Sequence, residues 1–271
     1  MTFQPIIPFG GYTGWRFLER TLDNQQQAFA DSQPVARSTS YFAQNIGNVR
    51  TAEDLVNDRQ LLSVALGAFG LDDDIDNRFF ILQILKDGTI ADDALANRLT
   101  DNRYADFSRA FGFGDRAAPR TGLSQFPEEI VSRYEARQFE RAVGEQNNDL
   151  RLAMNVESGL SDILDRSNSQ DARWFSVMGN PPLRSVFQTA LGLPQSIASI
   201  DLDKQLSIFK DRAQSVFGTD QINAISQPEQ REKLVRLFLV RSEAANTASV
   251  TAGATALTLL QSTPRLTPQL A

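Results

Sequence analysis

Apolar residues along this chain recur three, four and seven positions apart, and alternating apolar/polar runs are scarce. That is the period of helices buried along one face, so the pattern predicts an all-α protein. Trp15, Leu18, Leu22 and Phe29 form the first stripe, on a helix over about residues 13–31. Gln25 or Gln26 occupies the one heptad position of that stripe without an apolar side chain. Gln33-Pro34 breaks the pattern. Thr51-Ala-Glu-Asp54 has the form of a capping box, opening a helix that carries Leu55, Leu62, Leu66 and Phe69; Gly70 stands where a left-handed cap ends it. Asp72 or Asp74 caps a following helix with Phe79, Phe80, Leu82, Ile84 and Leu85, stopped by Asp87-Gly88.

Short helices are expected at 92–99 and 101–111, and 116–124, with Pro119 and Gly122, reads as a linker. Pro127-Glu-Glu opens a long helix toward Gln146. Further helices are expected at 148–166, 170–177, 182–191 and 203–217, the last two closed by Gly192 and Gly218. Ser226-Gln-Pro-Glu229 resembles a second capping box. After Glu243 the composition turns to Ala and Thr and ends in a tail with Pro264 and Pro268. These boundaries divide the chain into an N-terminal segment 1–50, a first half 51–122, a second half 123–243 and a C-terminal segment 244–271, forming one compact body.

One stretch occurs twice. Residues 61–75 align without gaps to 183–197, with seven identical pairs among the fifteen, including Gly70/Gly192 and Leu71/Leu193. After a two-residue shift, Leu82, Ile84, Lys86 and Asp87 fall on Leu206, Ile208, Lys210 and Asp211. Each copy reads as helix, glycine cap, leucine plug, turn and second amphipathic helix, which predicts an internal duplication of a helix–turn–helix unit.

Composition narrows the chemistry. The 271 residues include no histidine and no cysteine. Ser-His-Asp and Cys-His catalysis, His/Cys zinc sites, iron–sulfur ligation and disulfides therefore need residues this chain lacks. The net charge of −6 gives no basic face for nucleic acid. Met1–Trp15 has neither the basic nor the apolar region of a secretory signal, and no apolar run approaches the roughly 18–20 residues of a membrane span. The expected location is the cytoplasm, or export by a route without a cleaved signal. Phenylalanine, at 18 residues against 4 Tyr and 2 Trp, favours buried rings that need no polar partner.

Candidate sites are sparse. Asp72–Asn77 alternates oxygen ligands as a calcium loop does, but Asn77 and Gln83 stand where that loop needs Gly and a bidentate Glu; helix capping accounts for the acids. Ser207-Ile-Phe-Lys210 has the S-x-x-K spacing without that enzyme class's other elements, and Gly112-Phe-Gly114 lacks a phosphate loop's Lys-Ser/Thr. Glu128/Glu129 and Asp92/Asp93 suit first helical turns. No catalytic, cofactor or metal residue is assigned. The functional candidate is the N-terminal stripe Trp15, Leu18, Leu22 and Phe29, which suits either a partner groove or the protein's own core.

The chain resembles a bacterial domain family of unknown function, mostly alphaproteobacterial, whose members are commonly encoded in flagellar gene clusters. The matching residues include Gly14-Trp-Arg-Phe-Leu, Asp58-Arg-Gln-Leu-Leu, Ala68-Phe-Gly-Leu, Ala96-Asn-Arg-Leu-Thr-Asp-Asn-Arg-Tyr104 and Trp174-Phe-Ser-Val-Met-Gly-Asn-Pro-Pro-Leu-Arg184. Arg137-Gln-Phe-Glu, Ala142-Val-Gly-Glu, Ala190-Leu-Gly-Leu-Pro194 and Arg-Leu-Phe-Leu at 236–239 complete the set. It spans residues 10 to about 243 and carries no assigned catalytic residue. The resemblance implies a flagellum-associated role by gene context. The resulting expectation is a non-enzymatic structural or accessory protein acting through protein contacts, with two alternatives: a cytoplasmic chaperone or regulator of flagellar export, and an enzyme using carboxylates or an oxygen-ligated metal.

Overall fold

A computed structural model describes residues 3–99, 101–166 and 169–262, the segment 248–262 as backbone only. Among the described residues there are fourteen α-helices, four short 3-10 turns and no strand. The helices are α1 Gly11–Ala30, α2 Gln33–Asn45, α3 Ala52–Asn57, α4 Arg59–Gly67, α5 Arg78–Asp87, α6 Leu95–Arg98 and α7 Arg103–Phe111. They continue as α8 Phe126–Gln146, α9 Asn148–Arg166, α10 Gln170–Gly179, α11 Pro181–Leu191, α12 Leu202–Phe217, α13 Ile222–Ile225 and α14 Pro228–Ser262. No helix among the described residues is long and apolar enough to cross a membrane. The proline-punctuated tail after residue 262 lies outside them.

Local chemistry sets most of these ends. Thr51 accepts the Asp54 amide at 3.1 Å while the Asp54 carboxylate accepts the Thr51 amide at 2.9 Å, so the capping box forms. The helix it opens is short, because Asp58 turns extended and caps a new one, accepting from the amides of Gln60 and Leu61 at 2.9 and 3.0 Å. Pro34 ends nothing by itself: α1 stops at Ala30, and Pro34 sits in the first turn of α2, where its missing N–H costs nothing. Asp72–Asp74 form a 3-10 turn rather than a cap, and Asn77 precedes α5 without a side-chain cap. Ser226 does not cap α14, since its hydroxyl donates back to the Asn223 carbonyl at 2.9 Å. The expected linker at 116–124 is folded: Thr121 is buried and donates to the Val49 carbonyl at 2.7 Å.

The helices bury two hydrophobic cores. One is contiguous in sequence, running from Phe42 to Ile130 and centred on Phe69, Phe107, Phe111 and Phe126. Its rings meet edge-on or tilted, with centroids 5.1–6.5 Å apart, the geometry aromatic quadrupoles prefer. The other is composite. It joins Leu18, Phe29 and Val35 near the N-terminus to Phe139–Leu239, with Trp174 between Phe187 and Phe209. Two helices run through both: α2 gives Val35 to the composite core and Phe42 to the contiguous one, and α8 gives Ile130 to one and Phe139 and Val143 to the other. Tyr134 on α8 touches both.

The two aligned stretches, 61–75 and 183–197, fold into the same turn. Gly70 and Gly192 have φ of 68° and 67°, which a Cβ would strain. Leu71 N donates to Leu66 O at 3.0 Å and Leu193 N to Gln188 O at 2.9 Å; Gly70 N donates to Gly67 O and Gly192 N to Thr189 O. These pairs correspond position for position and define a Schellman end. A 3-10 turn follows each, closed by Ile75 N to Asp72 O and Ile197 N to Pro194 O. An arginine from elsewhere also seals each end: Arg133 donates to Ala68 O and Arg241 to the matching Ala190 O. Beyond the turn the surroundings differ, since α4 packs on α2 and α8 whereas α11 packs on α14 and α9.

Candidate functional site

A cleft of about 550 Å³ lies where the two cores meet. Its floor is α8 and α9; the turn after α4 and the start of α7 form one wall, and the α10–α11 corner forms the other. Arg133, Arg137 and Arg141, four residues apart on α8, put three guanidinium groups along it. Like charges at that spacing repel, so the ladder needs counter-groups. Arg141 pairs with Asp72 at 3.1 Å and Arg137 with Glu140 at 2.8 Å. Arg133 Nε donates to the Ala68 carbonyl at 3.0 Å, its guanidinium lies 4.3 Å from the Phe69 ring centroid, and the Asp162 carboxylate is 3.9 Å away. On α9, Arg166 meets Asp106 of α7 at 2.5 Å, and Gln138 of α8 donates to Asp72 at 2.7 Å.

Burial governs the ionisation of these groups. It pulls the Arg133 guanidinium below its ordinary range, with the Asp162 charge acting the other way. It pushes the Asp106 carboxyl up despite Arg166. Burial and a hydrogen bond to Asp74 push the Tyr104 hydroxyl up to about 12. Burial also works to raise Asp101, yet the Arg103 side-chain and backbone hydrogen bonds outweigh it and hold that carboxyl low. Arg133, Arg141, Gln138 and Arg166 all reach from α8 or α9 to the contiguous core's turn or to α7. In chemical terms the cleft is a set of polar pins holding two cores together.

The other sequence candidates are placed as follows. Leu18 and Phe29 are buried in the composite core, and Trp15 and Leu22 pack half-buried against it. Asp72, Asp74 and Asp76 point to separate partners, Arg141, Tyr104 and Arg59. Lys210 reaches Asp171 at 2.9 Å, and that hydrogen bond raises its pKa, while Ser207 lies 3.4 Å from Asp211. Gly112 is a left-handed helix cap at φ 71°, and Gly114 lets its backbone lie directly against Gly88. Among the described residues, no group of three His, Cys, Asp or Glu side chains could hold a metal ion.

Two features take their role only from the fold. The arginine ladder was visible as three arginines at four-residue spacing, although only the fold shows what it faces. The other is Gln25, whose buried amide exchanges two hydrogen bonds with the backbone of Ile6: Ile6 N to Gln25 Oε1 at 2.6 Å and Gln25 Nε2 to Ile6 O at 3.2 Å.

Comparison with known proteins fits the observed fold. A crystal structure of a protein from Agrobacterium tumefaciens is similar, with a TM-score of 0.73 and 25% identity, covering 90% of this chain and 99% of that one. No curated protein matches. The profile of a family described as protein of unknown function (DUF1217) matches residues 68–230, which takes in the cleft lining and the second aligned stretch, 183–197. The chain belongs to that family.

Proposed function

We propose that this chain is a non-enzymatic structural or accessory protein of the bacterial flagellar apparatus, working through protein–protein contacts. The observation that carries the contact reading is the use of charge in the cleft. Ionisable groups lining it are spent on pins between helices: Arg133 to the Ala68 carbonyl, Arg141 to Asp72 and Arg166 to Asp106. Groups tied in this way stiffen a scaffold. The flagellar part rests on the motif resemblance described above, which spans residues 10 to about 243.

The experiment is a motility assay of a deletion strain joined to cell fractionation. Loss of swimming, with the protein in purified basal bodies or culture medium, is the expected result. Confinement to the cytoplasm with a flagellar protein in pull-down selects an export chaperone or regulator instead. Normal swimming overturns the flagellar reading.

A further inference from the structure

The first described residues, 3–10, form no helix and lie as an extended strap along the composite core. Their side chains alternate. Phe3 and Ile7 pack half-buried against the core and Pro5 is buried, whereas Gln4, Ile6 and Pro8 face outward. That is the two-residue period of a β-strand, with a helix surface in place of a neighbouring strand. Two glutamines supply what a strand would have supplied. Gln25 of α1 hydrogen-bonds both the N–H and the C=O of Ile6, and Gln146 of α8 donates to the Pro5 carbonyl at 2.7 Å. Pro5 has no N–H to lose on burial. Gln25 is itself held by Thr21 at 2.8 Å, and Phe3 meets Phe29 edge-on at 6.4 Å.

The groove is filled by the chain's own residues 3–10. Recognition runs through the backbone at Pro5 and Ile6 and through inward side chains at alternate positions. We infer that the groove formed by α1 and α8 is a docking site for an extended partner segment of the pattern aromatic-x-Pro-x-aliphatic, and that the strap is its displaceable, autoinhibitory occupant. The strap's own sequence, Phe3-Gln-Pro-Ile-Ile7, sets that pattern. Its outward side supports displacement. Ile6 and Phe9 are 60% and 58% exposed, apolar surface that the closed form leaves in water. Gly10-Gly11, with Gly11 at φ +59°, joins the strap to α1, and Gly10 O accepts from Gly14 N at 3.1 Å, so displacement concerns residues 3–9 and leaves the helix start in place. The inference rests on the contact reading above and gives it a partner class; of the stripe, Phe29 borders the site through Phe3.

The test uses the full chain and a fluorescein-labelled peptide of residues 3–10. In the double variant Phe3→Ser/Ile7→Ser the strap loses its inward side chains, and the peptide is expected to bind at least tenfold more tightly than to the unaltered chain, whose groove is filled. Adding Gln25→Leu should weaken that binding at least tenfold. A folded double variant without saturable binding, or binding indifferent to Gln25, overturns the inference. Hydrogen exchange on the unaltered chain guards against a variant that does not fold: the Ile6 and Ile7 amides should exchange far faster than those of Leu18–Phe29. Strap amides that open only with the whole protein overturn the inference as well. Swimming of a deletion strain is unaffected by either outcome, so failure of the groove and failure of the flagellar reading are told apart.

Discussion

The contiguous and composite cores reach similar burial by different routes. The first closes within residues 42–130. The second needs both ends of the described chain: α1 and α14 pack on each other and on α9, and Trp174 sits among Phe187 and Phe209. Closing long loops has an entropic cost that must be met before distant contacts form, so the contiguous core should assemble first and persist when the composite one is damaged. Independence is limited by α2 and α8, which thread both, and by the cleft pins.

The largest effect should come from truncating a buried ring in each core. Trp174→Ala and Phe107→Ala each remove a fully buried aromatic and should destabilise by about 3–5 kcal/mol in chemical denaturation. Their hydrogen-exchange maps should differ: Trp174→Ala strips protection from α9–α12 and leaves 42–130 largely protected, whereas Phe107→Ala strips 42–130. Uniform loss in both variants would show one cooperative unit. Next comes the link between cores. Arg133→Ala deletes the hydrogen bond to Ala68 O and the contact with the Phe69 ring, and should cost about 1–2 kcal/mol while increasing exchange in the turn after α4.

Smaller and local effects belong to the matched caps. Asp58→Ala in α4 and Asn180→Ala in α11 each remove an N-cap and should cost about 1 kcal/mol, with melting temperatures lowered by similar amounts. Unequal losses would show which core depends more on its repeated helix. The smallest effect concerns pH. Asp106 has its pKa raised in the fold, so the native state holds that proton more tightly than the unfolded chain does. Its contribution is therefore complete below the ordinary aspartate pKa, near 4, and is lost as pH rises through the folded value. Asp106→Asn should flatten the decline of stability across that window, read by denaturant titrations at stepped pH. A decline of unchanged slope would place its cause elsewhere.

Legibility followed physical locality. Gly70, Gly192 and Gly218 were readable as left-handed caps because a helix end needs φ > 0 and glycine meets it at least cost; all three adopt it. The Thr51–Asp54 box needs four residues and nothing else. Harder elements had signals with two meanings. Pro34 suits a break as well as a first turn, so the pattern around it does not by itself announce α2. Asp58 falls inside the apolar-periodic stretch from Leu55 to Phe69, and the start of α4 there rests on its side chain accepting from Gln60 N and Leu61 N. Phe79 matches the apolar face of α5 by type, yet it is 81% exposed, because α5 turns Ile81, Ile84 and Leu85 inward.

The sequence by itself determined the helical class, most helix ends and the repeated glycine turn, since each depends on hydrogen bonds and dihedral preferences within a few residues. It also determined which chemistries lack their residues, as a chain without histidine or cysteine cannot build sites from them. Tertiary structure alone decided that the burial divides into two cores, that three arginines on α8 line a cleft, and that Gln25 rather than Gln26 enters the N-terminal stripe to hold the strap. Those outcomes depend on which surfaces meet across tens or hundreds of residues, and apolar periodicity states that a face is buried without stating against what.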